Sequence, residues 1–382
     1  MDRRTSGMAP VLHTSTPMSS PALRQWLAPL LIVLAGTTAA VGCDAPASRL
    51  NRPSRETKAD PTDTVGRDDD SSEREIDPGS ETLEEEATGT STNRPAPPAG
   101  PLPPMTKKCA TRLSIALAGK SPSAELLAST DLAGAIDTLV ESAGFADRFA
   151  RFINAELNDA PAMSAAEDPV YFIAKHVIAN DKPWSDLFLG QYQVKTTGEA
   201  TTVSNDANGL GYFRTDAWRK RYAGNEPDGL MINGAFRLLA NTTGLELTAS
   251  VGDPDDDRSA AGRNATACKG CHFDAWFALD KVARLLPRKT GEDDAISFTP
   301  STSGAQQLFG KSIADEKALV AALVGSDQWK FQQCRSVFKF LYGRPENKCE
   351  AQTFDRCVDA LTQKKTIRAA VAAAAKDPAV CR

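Results

Sequence analysis

Between Asp44 and Met105 the chain contains no Phe, Trp or Tyr, while residues 106–382 hold every aromatic side chain except Trp26. That asymmetry confines any packed core to 106–382. The aromatic-free stretch carries acidic runs, Asp68-Asp69-Asp70 and Glu84-Glu85-Glu86, and ends in a Pro-rich run from Pro95 to Pro104. Such a composition cannot bury enough apolar surface to offset chain entropy. Residues 43–105 therefore read as a disordered tether, with an r.m.s. reach of roughly 45 Å. Charge divides the same way. Residues 44–105 carry 7 basic and 14 acidic side chains, and residues 106–382 carry 34 of each. The net charge of −5 thus divides as −7 in residues 44–105, +2 in residues 1–43 and none in the body. A neutral body of 277 residues has room for a substantial core in one or two domains. It lacks the basic excess of a protein that holds phosphate backbones, so no nucleic-acid partner is expected. Three His in the whole chain rule out a His-rich metal site, and eight Cys are too sparse for a small disulfide scaffold.

Ahead of the tether, Trp26 to Ala40 is an apolar run preceded by Arg24. It falls short of the about 20 residues a spanning helix needs. It ends in Ala40-Val41-Gly42-Cys43, which resembles the lipobox of bacterial lipoproteins, with Ala40 where Leu is commoner. The expectation is a signal peptide over 1–42, cleaved before a lipidated Cys43. The alternative is an ordinary secretory signal with an incidental Cys. Lipidation makes the membrane a partner, because several acyl chains anchor stably where one is marginal. The body would then face the periplasm or the surface of a Gram-negative cell envelope.

From Cys109 onward helical spacing dominates and strand alternation is scarce. Ser123 to Ser142 reads as one or two helices, with Ser129-Thr130-Asp131 placed to cap the second. Phe145, Phe149, Phe152 and Ile153 share a helix face. Asp168 opens a helix carrying Tyr171, Phe172, His176 and Val177. Lys182-Pro183-Trp184 starts another, with Pro in the first turn. Residues 192–227 form a looser segment, Asp228–Ala240 and Phe273–Leu286 return to helix, and Gly252–Arg263 is a polar loop. Residues 291–304 form a linker, followed by helices near 314–324, 327–342, 351–363 and 366–376. The expected body is mainly α, in two helical lobes, 106–300 and 301–382.

Cys268-Lys269-Gly270-Cys271-His272 is the motif that carries chemistry. CxxCH is the attachment signature of c-type haem. Two thiols three positions apart can add to the two vinyl groups of one haem, and the adjacent His272 can supply the proximal iron ligand. Gly270 is expected to let the backbone turn closely between the thioethers. A secretory signal agrees with attachment outside the cytoplasm. Three other readings exist: a redox dithiol, although no βαβ pattern surrounds it; half a zinc site, although no second CxxC follows; or a local disulfide. No Met and no other His follows His272. A sixth ligand must come from His176, Met105, Met163 or Met231 upstream, or be water. His176 is the candidate distal ligand, against an ordinary helix-face role; Met231 reads first as core. Phe273, Trp276 and Phe277 suit either a haem wall or plain core. Asp253, Asp255, Asp256 and Asp257 lack EF-hand spacing and read as a solvated turn. Cys109, Cys334, Cys349, Cys357 and Cys381 remain for disulfides. Cys349–Cys357 and Cys334–Cys381 are plausible pairs that leave Cys109 over, but spacing does not decide the pairing.

Several stretches together resemble the planctomycete-type multidomain cytochromes, built largely from domains of unknown function. They are Cys109 to Gly119 (CATRLSIALAG), Gly144 to Phe152 (GFADRFARF), Val177 to Leu187 (VIANDKPWSDL) and Gly229 to Phe236 (GLMINGAF). Cys268 to Asp280 is similar to that family's CxxCH followed by Phe-Ala-Leu and an acid, here Phe277-Ala278-Leu279-Asp280. Phe309 to Val324 and Gln333 to Arg344 (QCRSVFKFLYGR) are similar to its C-terminal helical domain. The chain departs from the family where Ala275 and Trp276 follow Asp274, and an upstream His common there is missing. The resemblance implies a helical protein with one covalent haem c and an electron-transfer role with an unknown redox partner. Two further readings stand beside a non-enzymatic carrier. One is a haem oxidase or peroxidase with an open iron site. The other is a haem-free scaffold lipoprotein with CxxC as a disulfide.

Overall fold

Small polar residues start most of the helices. Thr106, Ser123, Asp131, Ser142, Thr215, Asp315, Ser326 and Thr366 each accept a backbone N–H from the first turn that follows. Each cap satisfies a donor that would otherwise be orphaned. The fold is seen in a computed structural model that describes residues 101–158, 161, 168–247, 257–292 and 295–381. The expected signal segment, most of the tether, Cys43, Met163, Asp253, Asp255 and Asp256 lie outside the described residues.

The described chain is mainly helical. It opens with α1 (Lys107–Leu113), which runs into a π turn, Ser114–Ala118, and stops at left-handed Gly119. α2 (Ala124–Ala128) and α3 (Leu132–Glu141) are separated at Ser129–Asp131, with Asp131 as the expected cap. α4 (Ala143–Leu157) buries Phe145, Phe149 and Ile153 along one face, with Phe152 half-buried beside them. α5 (Pro169–Ala179) carries His176, and its Pro fills the first turn. The helix expected from Lys182 starts later, as the single turn α6 (Asp186–Leu189). Trp184 explains the delay. Its backbone N–H donates to the Lys365 carbonyl (2.7 Å) and its indole N–H to Gln333 (2.8 Å), so it docks into the core instead of turning with a helix.

In the segment expected to be looser, β1 (Tyr192–Thr197) and β2 (Ala200–Asn205) form an antiparallel hairpin in register Tyr192↔Asn205. Val194 and Val203 pair across it, the β-branched match a ladder favours. α7 (Asp216–Arg221) follows. α8 (Ile232–Thr243) begins four residues later than its expected Asp228, because Gly229 at φ +71° turns the chain first. The polar loop before the Cys motif contains α9 (Ala260–Arg263), and α10 (Thr266–Lys269) leads into the motif. The helix expected over 273–286 is broken. A π turn, Gly270–Asp274, gives way to extended Ala275, and α11 spans only Leu279–Ala283. The break lets Asp280 enter the core.

The expected linker contains strand. β3 (Arg288–Thr290) pairs with β4 (Ser297–Thr299), and β5 (Gln306–Leu308) pairs with β6 (Lys311–Ile313). α12 (Glu316–Val324), α13 (Asp327–Tyr342), α14 (Ala351–Lys364) and α15 (Ile367–Ala375) match the four helices read beyond 300. Buried residues from both sides of position 300 join one apolar cluster. Phe149 of α4 packs edge-on against Phe340 of α13 (4.9 Å) and against Trp184 (5.8 Å).

Disulfides join Cys109 to Cys381 and Cys334 to Cys357, with Cα atoms 4.8 and 6.0 Å apart. This corrects both pairs considered from the sequence. The partner of Cys357 is Cys334, because α13 and α14 pack side by side and Cys334 is wholly buried at their contact. The partner of Cys381 is Cys109, because the C-terminal turn folds back onto α1. Among the described residues no helix is long and apolar enough to cross a membrane.

Candidate functional site

Among the described residues two cysteines are not bridged: Cys268, half-buried, and Cys271, exposed. Cys268 lies within the single turn α10, where its N–H and that of Lys269 both bond the Ala265 carbonyl. Cys271 sits in the π turn that follows, closed by the Ala275 N–H bonding back to the Gly270 carbonyl (2.8 Å). Gly270 between them has an ordinary right-handed conformation (φ −52°). Its expected role as a sharp turn is therefore corrected. A Cβ placed on Gly270 would meet nothing within 4 Å, so a larger residue would also fit there.

His272 is half-buried and points its Nδ1 at Asp280 Oδ2, 2.8 Å away. Asp280 is fully buried. Arg263 reaches Asp280 Oδ1 with both Nε (3.0 Å) and Nη2 (3.0 Å). The same Nη2 holds Asp228 Oδ2 at 2.7 Å. Asp228 also accepts the Leu230 N–H on its other oxygen, and its backbone carbonyl takes Arg288 Nη1 (2.7 Å). His272, Asp280, Arg263 and Asp228 thus form a continuous polar chain from the motif to the turn before α8 and to β3.

The electrostatics follow from that chain. Burial works to raise the Asp280 carboxyl, but hydrogen bonds from His272 and Arg263 outweigh it and hold the group below its ordinary range. An ionised Asp280 can only accept, so His272 Nδ1 carries the proton. In the neutral ring the second nitrogen, Nε2, would then offer a lone pair to a metal. A carboxylate on the far nitrogen orients such a ligand and raises its basicity.

The aromatic residues after the motif separate by role. Phe277 is buried in the core, and Phe273 is half-buried. Trp276 is 57 % exposed, one of two large apolar side chains so exposed among the described residues. Its ring lies 6.1 Å from that of Phe309, which sits in the β5–β6 turn at φ +54°.

His176 lies elsewhere on the described surface of contacts. It stacks edge-on against Tyr192 of β1 (5.2 Å), and Asn180 Nδ2 approaches its Nδ1 at 3.5 Å. Burial, aided by Lys182, pushes the His176 imidazole below its usual range and favours the neutral ring. No hydrogen bond or ring contact joins His176 to His272 among the described residues. Met231 is fully buried against α8, and Met105 is buried with its N–H on the Thr130 carbonyl. No cluster of three or more His, Cys, Asp or Glu able to hold a metal ion by itself occurs among the described residues.

Asp280 had a visible signal in the sequence, as the acid closing the Phe-Ala-Leu run, but its partnership with His272 did not. Arg263 and Asp228 had none. Comparison with known protein families, curated proteins and solved structures finds no match to this chain.

Proposed function

We propose that this chain is a lipid-anchored, monohaem c-type electron carrier of the cell envelope, in the manner of the planctomycete-type cytochromes it resembles. The observation that carries the reading is the set at 268–280. Two unbridged thiols lie three positions apart, and beside them His272 has its Nδ1 committed to buried Asp280. A porphyrin attached through two thioethers needs little else from the protein: one oriented ligand and walls against water. In this reading Cys268 and Cys271 form the thioethers, and His272 Nε2 is the proximal ligand. Phe273, exposed Trp276 and half-buried Phe309 shield one edge. Bound haem would supply a one-electron iron couple.

The chain's own residues set the conditions for that couple. Asp280 fixes the imidazole plane and makes Nε2 electron-rich, which favours the oxidised state of a bound iron. Arg263 keeps Asp280 charged and still, and Asp228 neutralises the guanidinium. The haem segment belongs to the first of two lobes, 106–300 and 301–382, which share one core. Residues 1–42 act as signal, Cys43 carries the lipid, and 43–105 spaces the body from the membrane.

The test is expression of the full chain with haem-attachment machinery, followed by intact mass and a pyridine haemochrome spectrum. One haem retained after denaturation, lost in Cys268→Ala/Cys271→Ala, is the expected result. A haem-free chain lighter by two hydrogens at Cys268 and Cys271 would replace this reading with the scaffold. The His272–Asp280 bond also favours a second reading, because an electron-rich proximal His is what a peroxidase-like site uses. Rapid change of the ferric spectrum on adding peroxide would select it, and an inert six-coordinate spectrum would exclude it.

A further inference from the structure

Two of the described non-glycine residues with left-handed backbone bracket Trp276. Ala278 follows it at φ +28°, and Phe309 meets its indole from the β5–β6 turn at φ +54°. Phe309 is the sharper anomaly. β5 and β6 pair Leu308 with Lys311, so the turn between them is Phe309 and Gly310 alone, both at positive φ (+54° and +71°). A two-residue hairpin turn of this kind favours Asn, Asp or Gly at its first position, because a bulky side chain there strains the backbone. Gly310 obeys the rule and Phe309 breaks it. The hairpin is anchored without the ring, since Leu308 and Ile313 are already buried. The Phe309 ring is half-buried, and the ring it meets is that of Trp276, 6.1 Å away and tilted by 52°. Trp276 has few other holds. Its own segment gives it Phe277, edge-on at 5.4 Å, and leaves 57 % of it exposed, four positions after His272. A local rule broken in an otherwise regular turn points to a task for the residue that breaks it.

We propose that Phe309 is a positioning residue, whose strained turn holds the Trp276 indole still so that it can wall off from water a haem carried on Cys268 and Cys271. The role rests on the haem reading and goes beyond it. It gives the site a working part from beyond position 300, and it sets the needs of the turn against the needs of the site. Asn at 309 would suit the turn, and an aromatic ring at 309 suits the wall. Aromatic rings at these separations attract one another, so Phe309 and Phe277 together restrain an indole that one neighbour alone would leave loose. An apolar wall matters to an iron couple because it keeps out the water that would favour the more charged ferric state.

The test compares Phe309→Asn, Phe309→Ala and Phe309→Tyr in the full chain carrying Trp26→Phe. Trp184, Trp218 and Trp329 are buried, so acrylamide quenching of the haem-free chain reads mainly Trp276. Phe309→Asn should raise the quenching constant roughly 1.5-fold, and Phe309→Tyr should keep it near wild type. Asn and Ala both delete the ring, but only Asn suits the turn, so Phe309→Asn should melt about 2 °C above Phe309→Ala. In the haem-loaded chain Phe309→Asn should strengthen the preference for ferric iron about three- to tenfold, a fall of about 30–60 mV at about 59 mV per tenfold. Phe309→Tyr should restore the wild-type potential. Quenching unchanged in Phe309→Asn overturns the positioning role whether or not haem is present. Equal melting of the Asn and Ala variants overturns the strain on which it is argued. Quenching that rises while the potential stays fixed overturns the wall. A chain that takes up no haem overturns the parent reading and the wall with it, and the quenching result still decides whether Phe309 holds Trp276.

Discussion

His272 has two nitrogens with different fates, and Asp280 decides which does what. The carboxylate holds the Nδ1 proton at 2.8 Å and leaves Nε2 free. Replacing Asp280 with Asn keeps the shape but substitutes a neutral acceptor. In the haem-loaded protein this should raise the midpoint potential by roughly 60–120 mV. That range corresponds to a 10–100-fold loss of preference for ferric iron, at about 59 mV per tenfold. Redox titration of wild type and Asp280→Asn reads it, and an unchanged potential would deny Asp280 any hold on the ligand. Arg263 acts differently, because it is the shared cation of two carboxylates. Arg263→Met leaves a buried Asp280 uncompensated and should cost about 3–5 kcal/mol in urea unfolding. The motif itself was legible in the sequence, since Cys268, Cys271 and His272 are adjacent in the chain. Arg263 was not, because a charged residue in a polar loop reads as solvated until the fold buries it, and Asp228 read only as the start of a helix.

At the scale of elements, one helix cap was legible and the breaks were not. Asp131 announces α3 because a cap is a local device, settled within one turn. Trp184 and Asp280 are placed by partners 149 and 17 positions away in sequence, so local spacing carried no trace of the interruptions they cause. The β1–β2 hairpin was hidden for another reason. It is largely exposed, so its faces need not alternate in polarity. One contact between elements is open to a pH test. Asp147 on α4 receives Lys175 Nζ (2.8 Å) and the Tyr171 hydroxyl (2.5 Å) from α5, and Arg151 Nε (2.7 Å) from its own helix. Burial opposes ionisation, but these donors outweigh it and hold the Asp147 carboxyl far below the usual carboxylate range. A depressed acid stabilises the fold above its unfolded pKa and loses that contribution as pH falls toward the folded value. Asp147→Asn should therefore lower Tm near neutrality and leave it little changed in strong acid, so the gap to wild type closes on acidification. A gap constant from neutral to acid pH would show that Asp147 contributes packing only.

The whole molecule is tied where its described ends meet. Five cysteines were available for bridges and their spacing allowed several pairings, because a disulfide records which elements pack together and not how far apart they lie in sequence. The fold resolves part of this by docking the C-terminal turn on α1, so that Cys109 meets Cys381 across 272 positions. Residues on both sides of position 300 are interleaved within that clasp. Trp184 is held through Gln333 and Lys365, and Lys376 pairs with Asp137 (2.7 Å). A chain cut at 300 would bare the faces of α4 and α8 that α13 covers, and it should aggregate instead of folding. The clasp adds stability mainly by denying the unfolded chain its longest loop. In the chain-entropy picture a closure of this length contributes on the order of 5 kcal/mol. Cys109→Ser/Cys381→Ser should then lower the urea midpoint strongly while leaving the spectrum of the proposed haem unchanged, since neither residue touches 263–280. Cys334→Ser/Cys357→Ser opens a loop of only 23 positions and should cost less, about 3 kcal/mol by the same relation. Equal losses for the two double variants would assign the effect to packing around the sulfurs and not to loop closure, and urea titrations of both, run side by side, distinguish the cases.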